Sequence, residues 1–132
     1  IRLTRQGSWS LGFWIYLLED PTDSYRPLFY KGHGDETGRT PSAWLSPHSN
    51  RITLRVTTNT NPDIGIESST ALASRSWYHV AFSFNNKTER AFSATIFVNG
   101  AVDVSGVFKD MDVIDNTGPM YIGRDPSNKG SR

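Results

Sequence analysis

The run Asp110-Met111-Asp112-Val113-Ile114-Asp115-Asn116 is the densest acidic cluster in the chain. Carboxylates gathered in a polar stretch suit a hard cation such as calcium, which takes several oxygens and accepts backbone carbonyls among them. The same run also reads as a solvated acidic turn. Other chemistries lack their residues. Cysteine is absent, which removes thiolate nucleophiles, thiolate metal sites and disulfides together. His33 and His48 fall in loop-like segments and His79 in a strand-like one, so no zinc spacing is visible. A hydrogen-bonded strand histidine is the simpler account of His79. No serine sits in a Gly-x-Ser-x-Gly elbow. Lys31 to Gly38 is rich in glycine, but it lacks the lysine-then-hydroxyl ending of a phosphate cradle and no helix follows it.

Binding chemistry is better represented. Trp44 and the loop residue Tyr25 offer aromatic faces that suit the apolar side of a pyranose. Trp44 lies beside Leu45 and reads equally as core, whereas Trp9, Trp14 and Trp77 are expected in the core. Arg51 and Arg55 share one face of a strand. They suit a sulfated glycan or an acidic partner, and a solvated strand face is the default alternative.

These residues are carried by strands. Tyr78, Val80, Phe82 and Phe84 alternate on one face of a run from Trp77 to Phe84. Ala94 to Asp103 is broken by Asn99-Gly100, a strong hairpin signal because a type I′ turn needs positive φ at both central residues. Trp9, Leu11, Phe13, Ile15 and Leu17 mark one face of an earlier strand, whose second half is expected to be covered on both sides. Leu28 to Tyr30 and Ala43 to Leu45 are short strands. Ile52, Leu54 and Val56 alternate with Arg51, Thr53, Arg55 and Thr57, which predicts one buried face and one wet one. Ile64 with Ile66 and Met120 to Gly123 complete a set of eight to ten short strands separated by turn residues, the pattern of an antiparallel sandwich or barrel. So apolar a hairpin needs a second layer.

Composition agrees with one domain. The chain has 132 residues, 36% of them apolar and 20% charged. That length buries a core without staples. Fourteen basic residues face 13 acidic ones, for a net charge of +1, which gives no electrostatic footprint for nucleic acid. No apolar run approaches the length of a membrane span. Asn86-Lys87-Thr88 is a glycosylation acceptor if the chain is secreted.

Five phrases in order resemble the laminin G-like domains of the concanavalin A-like jelly-roll superfamily. They are Ser10-Leu11-Gly12-Phe13-Trp14-Ile15-Tyr16-Leu17, Pro27-Leu28-Phe29-Tyr30-Lys31-Gly32, Ser76-Trp77-Tyr78-His79-Val80-Ala81-Phe82, Ile96-Phe97-Val98-Asn99-Gly100 and Met120-Tyr121-Ile122-Gly123-Arg124. The resemblance implies an all-β fold, a concanavalin A-like jelly-roll sandwich of two antiparallel sheets over residues 1–124, with a polar tail at 125–132. Such domains usually close with a further strand after the Ile-Gly phrase and open with one before the Phe-Trp phrase. The expectation is therefore a segment of a longer protein, or a sheet completed by a neighbouring chain.

The resemblance also marks residues. In calcium-binding relatives an Asp or Asn ligand falls at about the position of Asp115, and a carbonyl two residues earlier, here that of Val113, assists. The second acidic ligand is due where this sequence has Thr40-Pro41-Ser42, without a carboxylate. The glucanases of the superfamily use a Glu-x-Asp-x-x-Glu phrase, which is missing here. Glu67 stands alone. Hydrolysis with retention needs two carboxyl groups about 5 Å apart, so no catalysis is expected. The resemblance implies a non-catalytic binding module of a larger protein. A protein partner or scaffold contact is the first expectation. A calcium-dependent, lectin-like module that binds a glycan is the alternative, with calcium as the one cofactor in view. The family leans extracellular, while the absence of cysteine is equally compatible with the cytosol.

Overall fold

The computed structural model describes residues 8–34, 39–88 and 90–126, and no helix is present among them. The described residues form nine strands: β1 (Ser8–Tyr16), β2 (Arg26–Lys31), β3 (Ser42–Leu45), β4 (Arg51–Val56), β5 (Ile64–Ala71), β6 (Trp77–Thr88), β7 (Ala91–Val98), β8 (Ala101–Lys109) and β9 (Met120–Ile122). They form two antiparallel sheets, of order β1-β6-β7-β8 and β5-β4-β3-β2-β9. The element that orders the first sheet is local. Asn99 and Gly100 take φ of 51° and 81°, so the β7–β8 hairpin closes on a turn whose twist matches the strands. Strand β1 reaches β6 across the chain in an unbroken register from Ser8↔Asn85 to Tyr16↔Trp77.

Period two decides what is buried. From β6, Val80, Phe82 and Phe84 point inward; from β7, Phe92, Ala94 and Ile96 do. They meet Phe29, Ala43, Ile52, Leu54, Val56 and Ile66 of the second sheet in one core. Trp9, Phe84, Phe92 and Phe108 stack in sequence across β1, β6, β7 and β8, with centroids 5.7, 5.1 and 4.8 Å apart. Phe29 and Phe82 meet edge to face at 5.3 Å and lock the two sheets together. Gly65 marks the tightest approach: a Cβ there would lie 1.8 Å from the Leu54 carbonyl oxygen, so the β4–β5 pairing requires glycine.

Two expectations need correction. Trp14 and Trp77 are exposed, at 66% and 64%, and the second half of β1 is covered on one side only. Parity is the reason: Trp14 and Tyr16 lie opposite the core face of Trp9, Leu11, Phe13 and Ile15. The face of β4 expected to be wet is not, since Thr53 and Thr57 are buried. Thr53 and Ser46 share a 2.8 Å hydroxyl contact, and the Thr57 hydroxyl donates to the Pro62 carbonyl at 2.8 Å.

Asp103 clasps the sheets at their open edge. Its carboxylate on β8 accepts the Ser69 N–H at 2.6 Å, the Thr70 N–H at 3.3 Å and the Thr70 hydroxyl, all on β5. Burial pushes its pKa up. The Thr70 hydroxyl, the two N–H groups and the charge of Arg51 outweigh that and hold it below the usual 3.8. A depressed folded pKa means that the stabilisation is complete above the unfolded value and is lost as pH falls through the folded one. Asp103→Asn is therefore expected to cost about 1–3 kcal/mol at neutral pH in urea unfolding, the worth of hydrogen bonds to a charged group. The gap from the wild type should narrow below pH 3.8.

Candidate binding site

On the outer face of the five-stranded sheet, strands and loops converge on a cleft of about 320 Å³ lined by Tyr25, Arg39, Trp44, Thr53, Arg55, Asp63 and Asp125. Three of the four residues predicted to bind ligand, Tyr25, Trp44 and Arg55, are brought together there. Strand parity puts Trp44 of β3 and Thr53 and Arg55 of β4 on this face, and the segments flanking β2, β3, β5 and β9 bring the rest. Trp44 forms the floor. It is buried, meets Tyr30 edge to face at 6.2 Å, carries the Arg39 guanidinium 5.6 Å above its ring, and donates its indole N–H to Asp125 Oδ2 at 3.3 Å. Asp63 bridges two cations, Arg39 at 3.5 Å and Arg55 at 3.9 Å. Tyr25 is half exposed at the rim.

The fourth residue, Arg51, stands apart from the cleft. Its guanidinium donates to the carbonyls of Ser68 at 3.2 Å and Ser69 at 2.7 Å along β5. Sequence reasoning missed Arg39, Thr53, Asp63 and Asp125. Asp63 lies between two strands and Asp125 in the polar tail, and neither carries a local motif.

A second surface lies on the outer face of the four-stranded sheet. Tyr16 pairs across the strands with Trp77 and Trp14 with His79. The rings of each pair are 5.2 Å apart, tilted by 50° and 72°. Tyr16 is 39% exposed and Leu18, just beyond the strand, 77%. The imidazole of His79 lies over Gly12, whose added Cβ would meet it at 3.3 Å. With Trp14 and Trp77, these side chains expose on the order of 400 Å² of apolar surface, as much as the largest patch on a typical monomer, which is often functional.

A laminin G family model, described as the concanavalin A-like lectin/glucanases superfamily, matches residues 1–132. The chain belongs to this family. No curated protein and no solved structure matches it. Domains of the superfamily often serve as binding modules, and laminin G-like domains are generally non-catalytic.

The calcium expectation for this laminin G-like domain turns on the surroundings of Asp115 and Val113. Neither lines the Trp44 cleft. Val113 is buried in the core and bridges Thr58. Asp115 Oδ1 accepts the Asn116 N–H at 3.0 Å. Beside it the Lys31 ammonium donates to the Asn116 carbonyl at 2.7 Å and to Asn116 Oδ1 and the Gly118 carbonyl at 3.2 Å. Burial lowers the pKa of Lys31, and the charge of Asp115 opposes that shift. Among the described residues no three His, Cys, Asp or Glu side chains group as metal ligands. The oxygens present are met by the Lys31 ammonium. The sequence gives no sign that Lys31 and Asn116 meet, because their partners are mostly backbone carbonyls.

Proposed function

We propose that this laminin G-like domain is a non-catalytic binding module that docks a protein partner on the outer face of its four-stranded sheet. The observation that carries the reading is the exposure of Trp14, Tyr16 and Trp77 on one face of the sheet. Burying it against a partner is strongly favourable, and Trp and Tyr are the residues on which protein interfaces concentrate their energy. The rings stand tilted or edge-on to their neighbours. They offer ridges to interdigitate with side chains rather than the flat platform a pyranose stacks on. The two carboxylates of the cleft, by contrast, are already paired: Asp63 between two arginines, Asp125 on the Trp44 indole. Both carboxylates are thus engaged in pairing, which supports binding over catalysis.

A second reading is a glycan held in the cleft. The union of Tyr25, Trp44 and Arg55 favours it, at a volume near the lower end for small-ligand sites.

Site-specific photo-crosslinking separates the two. A benzoylphenylalanine placed at Trp77 should yield protein adducts in an extract of the source cells, and one placed at Arg55 should not. Glycan adducts at Arg55 with nothing at Trp77 would transfer the function to the cleft.

A further inference from the structure

The geometry points to a cation site that the chain fills with its own side chain: the Lys31 ammonium occupies the oxygen cluster beside Asp115, and the domain needs no calcium there. Lys31 ends β2 and is only 3% exposed. An ammonium has three N–H donors and no acceptor. Three oxygens meet it: the Asn116 carbonyl, Asn116 Oδ1 and the Gly118 carbonyl. With the Asp115 carboxylate alongside, these are two carbonyls, an amide oxygen and an acid, the donor types a calcium ion takes.

The cluster is built around the lysine. Asn116 Nδ2 donates to the carbonyls of Lys31 and Thr40, each at 3.2 Å. The Gly118 N–H donates to Asn116 Oδ1 at 3.0 Å, and the Gly32 N–H to the Pro119 carbonyl at 3.1 Å. Gly118 comes so close to β2 that a Cβ would lie 2.4 Å from the Gly32 carbonyl carbon. Only glycine lets its carbonyl reach the ammonium. The loop due to supply a second carboxylate supplies Thr40, whose carbonyl is committed to Asn116. A divalent ion and an ammonium cannot share one partly desolvated set of oxygens, because like charges at contact distance repel strongly in a low-dielectric site. The inference stands apart from the docking reading and survives its failure.

The test compares the full chain with Lys31→Met, which keeps the apolar stem and removes the charge. Thermal unfolding is followed with about 10 mM calcium, above the weakest calcium sites of extracellular modules, and with chelator. The wild-type Tm should move with neither. Lys31→Met should melt about 10 °C lower, the size of shift a few lost charge-assisted contacts produce, and calcium should raise its Tm. A wild type stabilised by calcium or weakened by chelator overturns the inference. So does a variant with the wild-type Tm, or one insensitive to calcium. If Lys31→Met does not fold, the wild type decides alone. Ammonium protons held by three acceptors exchange slowly, so the NMR correlation of the Lys31 ammonium, assigned through its side-chain carbons, should be visible at neutral pH. Its absence overturns the assignment.

Discussion

Phe82→Ala lowers the stability of the domain by about 4 kcal/mol, the cost of deleting a fully buried aromatic ring. Phe82 is 0% exposed. It is the side chain at which the sheets meet, with Phe29 5.3 Å away across the interface and Phe13 6.0 Å away on the neighbouring strand. The surrounding rings are held by their own strands and cannot collapse into the space, so both the transfer and the cavity terms are lost. A chain of this size has about 5–15 kcal/mol in all, so the variant sits near the threshold of folding. Urea unfolding measures it. Val102→Ala on the outer face, where the side chain is exposed, is the control and should change stability by less than about 0.5 kcal/mol. Equal effects at the two positions would mean that the inside and outside of this sheet have been exchanged.

The double variant Trp14→Ser, Trp77→Ser reverses that pattern. Both rings are exposed, so their loss should cost under about 1 kcal/mol of stability, mostly through the cross-strand contacts with His79 and Tyr16. Affinity for the cross-linked protein partner should fall by about 100-fold or more, since interface tryptophans carry about 2 kcal/mol or more each. Titration calorimetry against that partner reads the change. Tyr25→Ala with Arg55→Ala should leave the affinity within about twofold on the same argument, that only anchors at the centre of an interface carry its energy. If the cleft variant lost affinity and the tryptophan variant kept it, the ligand would belong to the five-stranded sheet.

Alternation on β1, β4, β6 and β7 was enough to read an all-β chain of paired strands, and Asn99-Gly100 placed its hairpin to the residue. Parity had also sorted Trp14, Tyr16, Trp77 and His79 onto the opposite face from the core. Expecting Trp14 and Trp77 in the core sets the size of a tryptophan above its register, and the register decides. The buried state of Thr53 and Thr57 was not legible. It depends on Arg39, Asp63 and the Pro62 carbonyl folding over β4 from loops, and loop paths leave no periodic trace. Tyr25, Trp44 and Arg55 were chosen by side-chain chemistry alone. Their convergence follows from the antiparallel neighbourhood of β2, β3 and β4, which brings positions far apart in sequence to one face. Lys31 was invisible because a lysine in a polar-looking segment is ordinarily solvated. Only the wrapping of the Asn116–Gly118 backbone around it reveals a buried charge.

The central claim is that the four-stranded sheet presents the docking face, and hydrogen exchange of the domain with and without its cross-linked partner tests it most directly. Amides of Trp14 to Leu18 and of Arg75 to His79 should gain protection in the complex. Protection gained instead at Tyr25, Trp44 and Arg55, with none at Trp14 and Trp77, would contradict the account.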